Sequence, residues 1–317
     1  MPDITFATIA ASISRPHHTP VGTKLRVWEM PEPFVAPTFA RTDDSDGSLK
    51  EIVLIRASAA VGKSTIAHAL SAERQVPVLD LSSTPVATGS LKGILSDLRN
   101  GENPVDAFHA GNLPIIVDAL DEGRLLSNEN GFFSFLETSA ETVLESRSTT
   151  DHPKLIFLGR PEAVDYAILA FSEGGIQHSI LEVGFFREEG ARELIHAYAK
   201  RAAKPDSMYF VHSDPVERLI SAYFEKIEHA LGLEPGRLWD SESGRAFAGY
   251  APVLGAIGSL LPAIENFAEA LNRLNDVGTQ DAWDVIESVL GQIVERDRLK
   301  LIAQLGACLS NLLDGGR

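Results

Sequence analysis

The run Ile52-Val53-Leu54-Ile55-Arg56-Ala57-Ser58-Ala59-Ala60-Val61-Gly62-Lys63-Ser64-Thr65 constrains this chain more than any other. An apolar stretch enters a loop of small residues, and Gly62-Lys63-Ser64 opens a helix that continues to about Arg74. Strand, tight loop and helix in that order make a cup for a phosphate chain. Backbone N–H groups from Ala57 to Thr65 can curl around the oxygens, Lys63 can reach the outer phosphates, and the Ser64 hydroxyl can ligate Mg²⁺. The helix also points its positive end at the same anion. Ala57 and Ala60 stand where such loops carry glycine. A methyl group is tolerated at position 60 if φ stays negative, and that is the expectation here.

A second apolar run, Leu113-Pro114-Ile115-Ile116-Val117, ends in Asp118. Its length and its bounding turn residues Gly111 and Asn112 fit a buried central strand of a parallel sheet. The acid at its carboxyl end is expected beside the phosphate loop, holding Mg²⁺ through water. Asp121 and Glu122 follow at once, so three carboxylates crowd one strand end. Like charges this close are costly unless a cation or a polarised water shares the site. A third buried run, Lys154-Leu155-Ile156-Phe157-Leu158-Gly159, ends at Arg160-Pro161, and Arg160 is expected to face the phosphates from a neighbouring strand.

The remaining pattern is α/β up to about residue 205. Val76–Leu81 is expected as a strand with Pro77 at its start. Helices are expected over Ser90–Arg99 and Gly131–Glu145 from their apolar spacing. Strands alternating with helices imply βαβ units. The expected fold is therefore a P-loop NTPase: a parallel sheet flanked by helices, followed by an all-helical C-terminal region. After Ala203-Lys204-Pro205-Asp206 only helical spacing is visible, in segments beginning near Asp214, Pro252, Ala263 and Asp281. The division expected is 1–50 as an extended lead-in, 51–205 as the nucleotide-binding domain and 206–317 as a helical lid, winged-helix-like in position.

Taken together, these motifs resemble the NACHT-type NTPases of the STAND class. That family's second motif is an apolar strand, Asp, a small and an apolar residue, then Asp-Glu. Here it is Ile115 to Val117, Asp118, Ala119, Leu120, Asp121 and Glu122. Gly159-Arg160-Pro161 is similar to the family's Ser-Arg-Pro element, with Gly for Ser. Ile180 to Val183, then Gly184-Phe185 and the acidic start Glu188-Glu189, matches the family's strand running into Gly-Phe and a helix. The match covers roughly Glu51 to Arg201. The resemblance implies a molecular switch that binds ATP or ADP and hydrolyses ATP slowly with Mg²⁺, self-associates or controls a partner effector or sensor protein, and serves antiphage or innate-immune signalling. It implies Pro252 as a candidate for the adenine contact, against the alternative of a proline in a helix's first turn. The family's phosphate-sensing His has candidates only by elimination, His212 and His229.

The resulting assignment is specific. Residues Ala57, Ser58, Ala59, Ala60, Val61, Gly62, Lys63, Ser64 and Thr65 hold the phosphates, and Ser64 and Asp118 order Mg²⁺. Glu122, helped by Asp121, positions or deprotonates the attacking water, and Arg160 reads the γ-phosphate. ATP is expected over GTP because no Asn-Lys-x-Asp segment follows the core strands. Two alternatives remain: a P-loop kinase of small molecules, for which no Arg-rich lid is visible, and a scaffold that binds nucleotide without hydrolysing it.

Charge narrows the partners. The 317 residues carry 28 basic and 44 acidic side chains, a formal net charge of -16, which argues against nonspecific nucleic-acid binding. No apolar run reaches membrane-spanning length, so no membrane association is expected. The lone cysteine, Cys308, cannot form an internal disulfide and fits a reducing cytoplasm. The His17-His18 pair lacks a further ligand at metal-binding spacing. With no long sensor and no effector domain, the sequence is expected to be either a piece of a longer protein or a compact member that relies on a partner.

Overall fold

The computed structural model describes residues 4–17, 22–43, 48–98, 103–145, 152–205, 207–210, 213–275 and 291. Its contacts divide the chain into two compact units, 1–184 and 185–317. The first unit is built on a sheet. Its strands are β1 (Ile4–Thr5), β2 (Leu25–Arg26), β3 (Thr38–Arg41), β4 (Ile52–Ala57), β5 (Val78–Asp80), β6 (Ile115–Asp118), β7 (Leu155–Gly159) and β8 (Ser179–Val183). They lie side by side as β1-β3-β8-β4-β7-β6-β5-β2. The inner five, β8-β4-β7-β6-β5, are parallel, and the outer pairings β1–β3, β3–β8 and β2–β5 are antiparallel.

The expected strands at 52–57, 115–118 and 155–159 are present, and their apolar side chains are essentially excluded from water. Burial on both faces is what a continuous Val/Ile/Leu run requires. Residues alternate between two cores. Val53, Ile55 and Ala57 pack with Ile66, Ala67 and Leu70 of α2 (Lys63–Arg74) and with Ile9 of α1 (Phe6–Ser12). Ile52 and Leu54 face the opposite core. There α3 (Ser90–Ser96), α4 (Pro104–His109), α5 (Leu120–Leu126), α6 (Glu129–Leu144) and α7 (Pro161–Glu173) contribute Leu95, Phe108, Leu120, Phe135 and Phe171. Each such side chain is worth roughly 1.5–3 kcal/mol of burial.

β7 lies between β4 and β6, so the strand carrying Asp118 is one strand removed from the loop strand. One expectation about placement changes. Residues 4–41, expected as an extended lead-in, supply three strands that close both edges of the sheet.

Among its described residues the second unit has helices and turns and no strand: α8 (Glu188–Ala202), α9 (Ser213–Ala230), α10 (Glu242–Ala248), α11 (Ala251–Leu260) and α12 (Phe267–Asn275), with two short 3-10 turns. The acidic helix expected after Gly184-Phe185 is α8, and contacts group it with this unit because it packs along α11. A Cβ on Gly258 would come within 2.5 Å of the Ile195 carbonyl oxygen, so only glycine permits that approach. The buried Glu228 braces the turn after α9 by accepting from the backbone N–H groups of Gly236 and Leu238 at 2.9 and 2.7 Å. The helix expected over Asp281–Leu313, apart from Gly291, together with Cys308, His212 and His18, lies outside the described residues. Among the described residues no single helix is long and apolar enough to cross a membrane.

Candidate functional site

The loop after β4 forms at the carboxyl ends of the parallel strands. Ala57 is buried at the end of β4, Ser58, Ala59 and Ala60 are exposed, and Val61 folds inward. Gly62 sits in the left-handed region (φ 97, ψ 30) as the N-cap of α2, with no side-chain cap. An open helix N-terminus whose first donors have no side-chain acceptor is the geometry that receives an anion. Lys63, Ser64 and Thr65 form its first turn. Ala60 departs from expectation: its φ is +58, so the loop takes the glycine-like conformation in spite of the methyl group. That conformation costs an L-residue about 1–2 kcal/mol. Ala119, directly after Asp118, is a second alanine at positive φ (+61) and serves as the N-cap of α5. The described residues contain three non-glycine residues at positive φ, and two of them flank this site. Strain of that kind concentrates where the backbone shape is used.

Asp121 joins the pieces. Its Oδ2 lies 2.7 Å from Arg160 Nε, its Oδ1 accepts the Arg160 backbone N–H at 3.2 Å, and Lys63 Nζ is 3.8 Å from Oδ1. Asp121 and Lys63 are nearly buried, whereas the Arg160 side chain is half-exposed. Arg160 is the N-cap of α7, with Pro161 starting the helix. The glycine before it is closely packed: a Cβ on Gly159 would lie 3.0 Å from Leu120 Cβ and 3.2 Å from Val164 Cγ2, so those side chains would have to shift by a few tenths of an ångström to admit one. Glu122 follows in the first turn of α5. Burial raises its pKa above the usual carboxylate range, and the adjacent Asp121 charge adds to this while Lys63 opposes it. One Glu122 oxygen is buried with no hydrogen-bond partner.

Asp118 is almost wholly buried at the end of β6. Its pKa is raised, first by burial and further by Asp80, against hydrogen bonds from the Ser64 side chain and the Ala119 backbone. Its Oδ1 has no partner. An orphaned carboxylate oxygen beside a serine hydroxyl fits a hard cation. Among the described residues, no three His, Cys, Asp or Glu side chains gather to hold a metal by themselves. A Mg²⁺ here would therefore be held by Ser64 and Asp118 and draw its other ligands from nucleotide oxygens and water.

The structure thus brings together Lys63, Asp121, Glu122 and Arg160, and separately pairs Ser64 with Asp118. Pro252 belongs to the second unit, where it is buried in the first turn of α11. His229 is an exposed residue near the end of α9. Two residues escaped the sequence reading. Asp80 ends β5 in register with Asp118, and both acids belong to the sheet face covered by α2. His68 lies one turn along α2 from Ser64; burial lowers its pKa, against the charges of Asp118 and Asp80. Asp80 had the same signal as Asp118, an acid closing an apolar run, and His68 had the i,i+4 spacing from Ser64.

A parallel sheet with helices on both faces, a phosphate loop between β4 and α2, and acids at neighbouring strand ends make this a P-loop NTPase fold. The chain is similar in structure to a Walker-type ATPase of Pyrococcus abyssi, at 14% identity over 79% of this chain and 71% of that one, with a TM-score of 0.41. It is also similar to a RuvB mutant of Thermotoga maritima (17% identity, 75% and 62% covered, TM-score 0.37) and to a katanin structure concerned with self-assembly (14%, 76% and 78%, TM-score 0.30). No protein-family model matches the sequence, and no curated protein matches it.

Proposed function

We propose that the chain is an ATP-binding, slowly hydrolysing switch of the NACHT/STAND type. Its nucleotide-dependent state would control self-association or a partner effector, in antiphage or related immune signalling. The observation that carries the nucleotide reading is the meeting of Lys63, Asp121 and Arg160, with Glu122 beside them, next to an open N-terminus of α2. The NACHT/STAND assignment draws on the order of motifs in the sequence, and the signalling role follows from that resemblance.

In this reading the loop amides and Lys63 hold the phosphates. Ser64 and Asp118 hold Mg²⁺, which when bound neutralises charge on the phosphate oxygens. Glu122 orients the attacking water and accepts its proton, a role helped by burial, which raises its pKa above the ordinary glutamate value. Arg160 reaches the γ-phosphate from the end of β7. Catalysis of this kind is mainly positioning and charge stabilisation. The reading of a nucleotide-bound scaffold drew on Ala57 and Ala60, but Ala60 keeps the glycine-like loop shape.

Hydrolysis assays on three proteins test the proposal. Lys63→Ala is expected to abolish nucleotide binding. Glu122→Gln is expected to bind ATP as the wild type does and to turn over about 10²–10⁴-fold more slowly, the usual worth of a positioned base. Equal turnover by wild type and Glu122→Gln would remove Glu122 from the mechanism.

A further inference from the structure

Asp121 is the most heavily engaged acid of the site, yet a carboxylate next to a phosphate-binding lysine repels phosphate. Its two oxygens take three donors: the Arg160 guanidinium, the Arg160 backbone N–H and, at longer range, the Lys63 ammonium. These two side chains are the ones assigned to the nucleotide above. Carboxylate and phosphate oxygens compete for the same charge-assisted hydrogen bonds. Asp121 is also held where its charge is comfortable, in the first turn of α5, near that helix's positive end.

We infer that Asp121 is a positioning residue that occupies Lys63 and Arg160 in the nucleotide-free protein, and that a nucleoside triphosphate binds by exchanging its phosphates for this carboxylate. The inference rests on the nucleotide-binding reading above. The exchange comes in two parts. A diphosphate needs Lys63 alone, the weaker and longer of the two ion pairs. The γ-phosphate also needs the Arg160 guanidinium, which is half-exposed, whereas the Arg160 backbone N–H can stay on Asp121 and keep the start of α7 in place. Asp121 therefore sets how strongly the site distinguishes triphosphate from diphosphate.

Affinities for ADP and for a non-hydrolysable ATP analogue, both with Mg²⁺, test the exchange in the full chain. Asp121→Asn keeps an acceptor for the Arg160 backbone but removes the competing charge. It is expected to tighten ADP about threefold and the ATP analogue about tenfold, the scale of one to two partly exposed ion pairs. In an Arg160→Ala background, the extra gain for the ATP analogue should vanish. Arg160→Ala alone should weaken ADP about threefold, although Arg160 touches no part of ADP, because Asp121 then turns wholly to Lys63. This second variant leaves loop and acid intact, so the inference stays testable if Asp121→Asn folds poorly. Unchanged ADP affinity in Arg160→Ala, or an Asp121→Asn protein that binds the ATP analogue no more tightly than wild type, overturns the inference. Failure of the nucleotide-binding reading has a different signature: Lys63→Ala would bind both nucleotides as the wild type does.

Discussion

Replacing Ala60 by glycine should stabilise the protein, against the usual sign of an alanine-to-glycine change. At φ +58 the alanine carries about 1–2 kcal/mol of left-handed strain that glycine lacks. Glycine in turn loosens the unfolded chain, at a cost of about 0.4–1 kcal/mol. Ala60 is exposed, so no methyl burial is lost. The net expectation is a gain of roughly 0.5–1 kcal/mol, or about 1–4 °C in Tm for a unit of this size. Ala59 supplies the control. It is equally exposed, immediately adjacent, and not among the residues at positive φ. Ala59→Gly should lose about 0.4–1 kcal/mol, so the two variants should move in opposite directions. Thermal unfolding followed by circular dichroism measures both. Glycine adopts the same left-handed conformation, so ADP affinity should change less than about twofold in Ala60→Gly. Equal losses of Tm in the two variants would show that Ala60 is not held in the left-handed region, and the account of the loop would fail with it.

Other consequences follow from the carboxylates. Asp118 has a pKa raised by burial, so its ionised form is unfavourable in the fold: stability tied to this group is present below the ordinary carboxylate pKa and lost as pH rises through the raised value. Asp118→Asn should therefore stabilise the fold at neutral pH, by on the order of 1 kcal/mol, with the gain fading in acid, while Mg²⁺-dependent nucleotide binding is lost. A lower Tm for Asp118→Asn at pH 7 would contradict this. For Glu122, a base with a raised pKa must be ionised to work, so turnover should rise with pH through a value above the normal carboxylate range. Asp121→Asn removes a repelling charge and should move that acidic limb to lower pH; a pH–rate profile that does not move would separate the two acids.

Much of the site was legible because each part is a local pattern. The loop from Ala57 to Thr65 follows an apolar run, and Asp118 and Arg160 each close one. Such runs form the buried strands β4, β6 and β7, whose carboxyl ends meet by parallel pairing. Long-range facts were not legible. Strand order puts β7 between β4 and β6, which no local periodicity encodes. Strands β1 and β2 are two residues each, too short to show alternation, and exist through pairing with β3 and β5. The sign of φ at Ala60 is imposed on a residue that locally disfavours it. Asp121 looked like an auxiliary acid in sequence, and only the meeting of β6 and β7 with the loop shows how many donors it holds.

Equilibrium binding of Mg²⁺-ATP and Mg²⁺-GTP to the wild type and to Lys63→Ala, by titration calorimetry, tests the central claim most directly. The account predicts saturable one-to-one binding of ATP to the wild type, weak or no binding of GTP, and no ATP binding by folded Lys63→Ala. Unaltered ATP binding by Lys63→Ala, or tight GTP binding with none of ATP, would contradict it.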